Sequence, residues 1–290
     1  MGDLDGRTHA IPRCFRLRGS LIAMRRDSSI AVRRRQGEIP GRISDRQGYP
    51  QDHLQTGLDS MTPRFALYAA PATDHPLHEI AARWLGWDPE TGAEYPAQPA
   101  AGLDAGRIAA LTAEPRRYGF HGTLKPPFFL AEDCDEGQLI LALEKFATTR
   151  KPLRFALKPA ALGSFLALRP ATPSAELDAL AADCIRDFDR FRAPPSEQEL
   201  ARRRAAGLSE RQEQYLRDWG YPYVLDEFRM HFTLTGRIRD EAERGQVLAH
   251  LTELTAPALR SEFTLDEICL FVQGDPGAKF RVAGRYRLGG

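Results

Sequence analysis

The sequence carries one short pattern twice, as FHGTL at residues 120–124 and as MHFTL at residues 230–234. Each copy places a histidine and a threonine two positions apart inside an apolar frame. Successive side chains of an extended strand point to opposite faces, so the two polar residues share one face and the apolar residues share the other. The pattern therefore predicts two strands that are half buried, and its repetition predicts that both strands contribute to one site.

The polar residues of the two copies are His121, Thr123, His231 and Thr233. Imidazoles titrate near neutral pH, so a pair of them can supply one proton acceptor and one proton donor. Two hydroxyl groups add hydrogen-bond donors for phosphate oxygens. This set of groups is suited to moving protons around a phosphate without a metal ion. The alternative interpretation is a solvated polar sheet face with no catalytic role.

The same two strand faces continue to Lys125 after the first copy and to Arg229 before the second. Both side chains could neutralise a phosphate, although strand-end cations in water are an equally reasonable interpretation. A base or ring of the substrate could stack on the aromatic residues near the two copies, which are Tyr118, Trp219, Tyr221 and Tyr223. Aromatic residues that flank strands are more often part of the core, so this second interpretation also stays open.

The motifs lie within longer segments that resemble one known superfamily. The segments are RRYGFHGTLKPPF at residues 116–128, WGYPY at residues 219–223 and EFRMHFTLTGR at residues 227–237. They are similar to the 2H phosphoesterase superfamily, which is named after two His-x-Ser/Thr motifs, one in each half of a bilobal fold. Within it, they resemble a branch of unknown function that is associated with phosphonate metabolism. The resemblance covers about residues 61–290, and one departure is Gly122, where the branch usually has alanine.

The resemblance implies an α+β protein with a bilobal, duplicated, 2H phosphoesterase-like fold and antiparallel sheets around a central cleft. It also implies roles for the motif residues. One of His121 and His231 would take a proton from the attacking water, and the other would protonate the departing oxygen. Thr123 and Thr233 would hydrogen-bond the non-bridging phosphate oxygens, where negative charge builds up in the transition state. The sequence leaves open which histidine has which role.

The functional hypothesis is a metal-independent phosphodiesterase that opens a cyclic phosphodiester of a nucleotide, an RNA end or a sugar of phosphonate breakdown. The same site run backwards would be a 2′–5′ ligase. The alternative is a non-catalytic phosphate-binding accessory protein of phosphonate metabolism. No cofactor and no metal are expected. The expected partners are the small phosphodiester or RNA-end substrate and other phosphonate-pathway proteins, while the oligomeric state stays open.

The composition of the 290 residues is that of an ordinary soluble protein, with 42% hydrophobic residues. Lysine and arginine number 40 against 39 aspartates and glutamates, so net charge gives no argument for a polyanionic partner. An RNA-binding protein without turnover is disfavoured for the same reason. No apolar run is long enough to span a membrane, and residues 19–24 are too short for a signal-peptide core. We therefore expect a cytoplasmic protein without a membrane partner.

The four cysteines, at positions 14, 134, 184 and 269, form no CxxC pair and have no neighbouring histidine at ligand spacing. They are predicted to be reduced and mostly buried. His75 and His78 would share the first turn of a helix, but no carboxylate or thiol lies at a suitable spacing to complete a site. No metal site is therefore expected.

The chain divides into two parts of different composition. Residues 1–60 contain eleven arginines against seven acidic residues and show no sustained hydrophobic period. They are predicted to be a disordered extension, and a start codon assigned too far upstream would explain them. A basic targeting arm is the alternative. Residues 61–290 are predicted to form a single bilobal domain.

Local patterns predict the elements of that domain. The predicted strands lie at residues 65–70, 120–125, 153–157, 164–168, 229–235, 262–272 and 280–288, and the first motif strand should end at Pro126 and Pro127. The predicted helices follow a cap at residues 74–76 and run through residue 84, and then cover residues 136–148, 174–191, 196–219 and 240–254. Residues 88–106 are predicted to be a loop. The order strand, helix, strand, strand occurs twice and indicates a duplicated α+β fold.

Overall fold

The structure is a computed structural model and describes residues 62–205 and 207–290. The predicted disorder of residues 1–60 lies outside the described residues. The strands are β1 (Arg64–Ala69), β2 (Gly122–Phe129), β3 (Leu153–Phe155), β4 (Leu157–Leu162), β5 (Phe165–Pro170), β6 (Phe232–Thr233), β7 (Phe263–Leu265), β8 (Glu267–Gln273) and β9 (Arg281–Arg287). The α-helices are α1 (Pro76–Leu85), α2 (Ala105–Arg116), α3 (Glu136–Thr148), α4 (Ala175–Asp187), α5 (Glu197–Arg204), α6 (Glu210–Trp219) and α7 (Glu241–Thr255).

Seven of these strands form one sheet in the order β4-β5-β6-β2-β1-β8-β9, and β3 pairs with β7 in a second, two-stranded sheet. Every pair of neighbouring strands in the two sheets is antiparallel. Helices follow or separate the strands without forming parallel crossover units. The predicted α+β class with antiparallel sheets is confirmed.

The order of elements repeats along the chain. The first series is β2, α3, β3, β4 and β5, and the second series is β6, α7, β7, β8 and β9. Equivalent strands of the two series pair with each other: Gly122 of β2 lies opposite Phe232 of β6, and Arg154 of β3 lies opposite Thr264 of β7. The predicted duplication is therefore visible as two symmetric strand pairs, with β1 as an additional strand between β2 and β8.

The apolar residues of both motifs belong to the main hydrophobic core. Phe120, Leu124, Met230, Phe232 and Leu234 are each at most 5% exposed and belong to one cluster with residues of the surrounding helices. Burying side chains of this size stabilises the fold by roughly 1.5–3 kcal/mol each, relative to leaving them in water. The predicted separation of the motifs into a buried and a polar face is confirmed.

Gly122, where the related branch usually has alanine, lies against Met230. A Cβ atom on Gly122 would be 2.7 Å from the Cε atom of Met230 and 3.1 Å from the Cζ atom of Phe232. In this chain the flexible methionine therefore fills the space that the alanine methyl group would take.

Strand β2 does not end at the two prolines, as the sequence analysis predicted, but runs to Phe129. The register with β1 shifts between Phe65, which lies opposite Phe128, and Leu67, which lies opposite Lys125. Pro126 and Pro127 occupy this irregular step. Because a bulge leaves backbone groups out of the regular ladder, it can hold prolines, which have no N–H to donate.

Other boundaries also differ from the predictions. The second motif strand is only two residues long, helix α2 and strand β4 were not predicted, and the predicted helix at residues 196–219 is two helices, α5 and α6. The predicted strand at residues 262–272 is likewise divided, into β7 and β8. Leu234 and Thr235 still donate their backbone N–H groups to the carbonyl oxygen of Leu166 on β5, at 2.9 and 3.2 Å. The chain after β6 is thus held beside β5 without regular ladder pairing.

The two histidines near the start of α1 have structural partners. His75 is the N-cap of the helix, and its Nδ1 atom accepts a hydrogen bond from the backbone N–H of Leu77 at 3.1 Å. The Nε2 atom of His78 lies 3.4 Å from a carboxylate oxygen of Asp88. Their local roles are therefore a helix cap and a contact to a neighbouring loop.

Candidate active site

The pairing of β2 with β6 brings the polar residues of the two motifs together. With Gly122 opposite Phe232 in an antiparallel pair, His121 falls opposite Thr233 and Thr123 falls opposite His231. All four side chains lie on the face of the sheet opposite to the one on which Gly122 and Phe232 lie. Residues directly opposite each other have Cβ atoms about 4.5–5.5 Å apart, and diagonal neighbours are about 7–8 Å apart. The two imidazoles are such diagonal neighbours, each with a threonine across from it.

His121 is oriented by a backbone carbonyl and an aromatic ring. Its Nδ1 atom lies 2.9 Å from the carbonyl oxygen of Gly119. Because a carbonyl oxygen only accepts hydrogen bonds, Nδ1 must carry the hydrogen, and a neutral ring then has Nε2 as its proton acceptor. The ring stacks on Tyr68 with 3.9 Å between centroids and an interplanar angle of 26°. This imidazole is held in one tautomer and one orientation.

His231 is oriented in the same way. Its Nδ1 atom lies 2.7 Å from the carbonyl oxygen of Arg229, so this nitrogen also carries the hydrogen, and Nε2 is the acceptor of the neutral ring. In both motifs the accepting carbonyl belongs to the residue two positions before the histidine. The ring centroid lies 5.7 Å from that of Phe165. The two strands therefore present equivalent nitrogen atoms from equivalent positions.

The environment lowers the pKa of both imidazoles. Burial lowers the pKa of His121 to about 4; the Gly119 carbonyl opposes this shift and His231 adds to it. Burial is also the largest cause that lowers the pKa of His231, with the Arg229 carbonyl raising it and the charge of Arg169 lowering it. Both rings are therefore neutral near pH 7 in the empty site. A bound phosphate anion would favour the charged forms and raise both pKa values.

Among the aromatic residues considered from sequence, Tyr118 lies beside His121. Its ring lies 5.8 Å from that of His121 and stacks on Phe280 at 5.2 Å. Tyr223 is 44% exposed, and its ring lies 5.8 Å from that of Tyr221. A stacking role is therefore consistent with the position of Tyr118, whereas Tyr223 contacts another aromatic residue at the surface. Substrate contacts of both tyrosines stay predictions.

The two cations considered from sequence have other partners, and the prediction that Lys125 continues the polar face of the first motif is wrong. Thr123 lies opposite Tyr68, but a register shift sets Lys125 opposite the adjacent Leu67, which points to the other face of the sheet. Lys125 is 1% exposed, and its Nζ atom lies 3.3 Å from the carbonyl oxygen of Ile185 and 3.4 Å from a carboxylate oxygen of Asp189. Burial lowers its pKa to about 8, and Asp189 opposes this shift. Arg229 donates through Nη1 to the backbone carbonyl oxygens of Asp226 and Phe228. Substrate contacts of Lys125 and Arg229 stay predictions, and the positions of their charged groups do not support them.

Two residues of the site were missed from the sequence, Tyr68 and Arg169. Tyr68 of β1 lies opposite Thr123 of β2. The β5–β6 pairing ends with Leu168 opposite Phe232, and the next residues along the two segments are Arg169 and His231. Both strands carry alternating patterns, but only the order of strands in the sheet reveals which of their residues meet the motifs.

No group of three or more histidine, cysteine, aspartate or glutamate side chains in residues 62–205 and 207–290 is arranged to hold a metal ion. Cys184 and Cys269 are buried free thiols, as predicted, and Cys134 is partly exposed, whereas Cys14 lies outside the described residues. No helix in the described part of the chain is long and apolar enough to cross a membrane.

The fold and the site define an antiparallel α+β protein with two His-x-Thr strands paired at its centre. A family model described as protein of unknown function (DUF1045) matches residues 123–281. This match covers more than half of the chain, and the chain belongs to that family. The branch to which the sequence was assigned by resemblance is thereby confirmed.

Two curated relatives share the name ribose 1,5-bisphosphate phosphokinase PhnN. The protein from Janthinobacterium sp. (strain Marseille) is 39% identical over 192 residues, which are 65% of this chain and 42% of the relative. The protein from Laribacter hongkongensis (strain HLHK9) is 34% identical over 221 residues, which are 76% of this chain and 50% of the relative. The chain therefore spans about half the length of these relatives or less.

Solved structures that align with most of the chain include a phosphoesterase and E. coli LigT complexed with NADP⁺. The phosphoesterase is 13% identical with a TM-score of 0.36, and the alignment covers 78% of this chain and 98% of that one. The LigT complex is 14% identical with a TM-score of 0.36, and the alignment covers 79% and 99% of the two chains.

Proposed function

We propose that the protein is a phosphodiesterase that opens a cyclic phosphodiester by attack of water at phosphorus. The observation that carries this proposal is the pairing of the two motifs. Two imidazoles, each with Nδ1 bound to a backbone carbonyl, share one sheet face with two threonine hydroxyls. A binding protein would need the hydroxyls and a cation, but it has no need for two histidines fixed in the same tautomer.

In the proposed reaction, one neutral histidine accepts a proton from water as the water oxygen bonds to phosphorus. Negative charge builds up on the non-bridging oxygens, and the hydroxyls of Thr123 and Thr233 donate hydrogen bonds to them. The bond from phosphorus to one ring oxygen then breaks, and the second, protonated histidine gives its proton to that oxygen. The products are a phosphate monoester and a free hydroxyl on the same molecule.

The binding of substrate supplies the protonated histidine. Both imidazoles have lowered pKa values in the empty site, the pKa of His121 being about 4. A phosphodiester anion between them favours a positive charge on a nearby ring, and the first ring to be protonated disfavours protonation of the other. The bound state therefore holds one acid and one base, as the reaction requires.

The substrate class that we favour is a cyclic phosphate of a phosphorylated pentose. The curated relatives are named for ribose 1,5-bisphosphate, and opening a cyclic phosphate on a ribose phosphate yields a ribose bisphosphate. Cyclic nucleotides and RNA ends contain the same reacting group. Proteins that produce or consume such sugar phosphates in phosphonate breakdown are the proposed functional partners.

The proposal can be tested with purified protein and a panel of cyclic phosphodiesters in the presence of EDTA. The panel contains a ribose cyclic phosphate with and without a 5-phosphate, a 2′,3′-cyclic nucleotide and an RNA oligonucleotide ending in a cyclic phosphate. Phosphorus NMR should show the cyclic ester signal replaced by that of a monoester, and its coupling identifies the ester bond that breaks. Binding without turnover of every member would instead support the phosphate-binding alternative.

The pH dependence of kcat/KM should have its maximum below pH 6.5. This parameter reports the free enzyme, and the form with one protonated and one neutral histidine is most abundant between the two pKa values. These are about 4 for His121 and below 6.5 for His231. Activity should therefore fall as the pH rises from 6.5 to 8, and fall again below pH 4. Initial rates at low substrate concentration across this range measure the profile, and a maximum above pH 7 would contradict the mechanism.

Replacing Thr123 or Thr233 by valine should lower kcat/KM by about 10- to 150-fold, because each variant loses a hydrogen bond to a charged oxygen. Valine has nearly the same shape, so the strand pairing should remain. Thr264 on β7, which lies opposite Arg154 in the second sheet, offers a matched control. Thr264→Val should leave the rate unchanged, and an equal loss in all three variants would show that the effect is structural.

A further inference from the structure

We propose that Arg169 is the cationic phosphate ligand of the paired histidine site and holds a non-bridging oxygen next to His231. The inference rests on the proposed function, since it assigns the anion to the same site. Of the two cations considered from the sequence, Lys125 is buried in an ion pair with Asp189, and Arg229 is an exposed side chain whose Nη1 atom is bound to two backbone carbonyls. Outside both motifs, Arg169 can supply the positive charge that balances the phosphate.

The register of the sheet places Arg169 beside the histidine. Ala167 of β5 lies opposite Thr233, and Leu168 lies opposite Phe232. The next residue, Arg169, therefore falls opposite His231 and on the same face of the sheet. At this separation the guanidinium and the imidazole can reach opposite sides of one phosphate group, since directly opposed Cβ atoms are about 4.5–5.5 Å apart.

The guanidinium of Arg169 lacks a partner in the described part of the chain. Its Nε atom is buried without a hydrogen-bond acceptor, and no carboxylate in residues 62–205 and 207–290 forms an ion pair with it. A buried donor of a charged group without an acceptor is costly. An anion bound beside His231 would supply the missing acceptor, and a guanidinium can bind two phosphate oxygens at once.

The neighbours of Arg169 favour the same ligand. On its other side, Lys158 of β4 lies directly opposite it, so two like charges face each other across the strands. Like charges in this position are destabilising, and an anion bound to Arg169 would relieve the repulsion. The charge of Arg169 also lowers the pKa of His231. The arginine therefore adds to the effect of burial, which is the main cause of the lowered pKa of this imidazole.

The test uses inorganic phosphate as the probe and needs no turnover. NMR signals of the His231 ring in the full chain report phosphate binding and the pKa of the ring. In Arg169→Gln, phosphate should bind about 10- to 150-fold more weakly, and the pKa of His231 should rise because a neighbouring cation is removed. Arg169→Lys, which keeps the charge but not the two-pronged donor, should recover part of the affinity and most of the pKa shift.

Arg154→Gln, which removes an exposed arginine from β3, is the matched control and should leave both values unchanged. Unchanged phosphate affinity in Arg169→Gln, or an equal loss in Arg154→Gln, would overturn the inference. If Arg169→Gln does not fold, a loss of affinity in the folded Arg169→Lys protein supports the inference and its absence refutes it.

The experiment separates this inference from the proposed function. The protein could bind phosphate through Arg169 and yet open no cyclic ester. This result would refute the proposed phosphodiesterase activity, but the assignment of Arg169 as the phosphate ligand would remain valid. Turnover of a cyclic ester together with normal phosphate binding in Arg169→Gln would refute only the ligand assignment.

Discussion

Replacing His121 or His231 by alanine will lower kcat/KM for a cyclic phosphodiester by about 10²–10⁴-fold, the usual contribution of one general acid or base. Each ring has Nε2 as its proton acceptor because its Nδ1 is bound to a backbone carbonyl, so truncation to alanine removes that acceptor from the shared face. The rates are to be measured on the best substrate of the cyclic phosphodiester panel, at the optimum pH of the wild-type protein.

His250 on α7 offers a control for the loss of an imidazole as such. Its ring lies 5.8 Å from that of Trp84, and His250 belongs to α7 rather than to either motif. His250→Ala should keep the wild-type rate. Because His121 also stacks on Tyr68, the thermal unfolding of each variant is measured as well. Wild-type rates in both folded motif variants would refute the mechanism and favour the phosphate-binding alternative.

Replacing Phe232 by alanine should lower the free energy of unfolding by about 3–5 kcal/mol, the cost of removing a large aromatic side chain from a core. Phe232 is 0% exposed, and its ring packs 5.3 Å from that of Phe120 and 5.4 Å from that of Phe263. It also lies between the two polar residues of its motif. We therefore expect the variant to lose stability and the alignment of His231 together. Urea unfolding followed by circular dichroism measures the first effect.

The matched control for this loss is Leu141→Ala. Leu141 is a large apolar residue of α3 that is 66% exposed, so its truncation should change the free energy of unfolding by less than about 0.5 kcal/mol. If Phe232→Ala were as mild as this control, the assignment of the inner motif face to the core would be wrong.

Some of the fold could be predicted because local signals agree with the final structure. Helix α3 occupies residues 136–148 as predicted, since Asp135 and Gln138 form a reciprocal capping box at its start. The two faces of the motifs follow from strand alternation alone. These features depend on residues that are close in sequence, so they form regardless of where the segment lies in the fold.

Other features depend on which segments meet in space. Prolines ordinarily end a strand, but Pro126 and Pro127 fall at a bulge that only the pairing with β1 creates. Alternation placed Lys125 on the polar face, yet its ammonium group is held by Asp189 and by a carbonyl at the end of α4. Arg169 lies 62 positions before the histidine it faces, and only the strand order brings it there. The residues that the sequence could not place correctly are therefore those whose positions depend on tertiary contacts.

The central claim, that the two motifs form one site, is tested most directly by the rate of the double variant His121→Ala/His231→Ala. Residues that act as a unit are not additive, so the double variant should be no more than a few-fold slower than the slower single variant. Independent contributions would multiply, giving a combined loss of about 10⁴–10⁸-fold from single losses of about 10²–10⁴-fold. Non-additive rates for one cyclic phosphodiester are the result that the account predicts, and multiplied losses would contradict it.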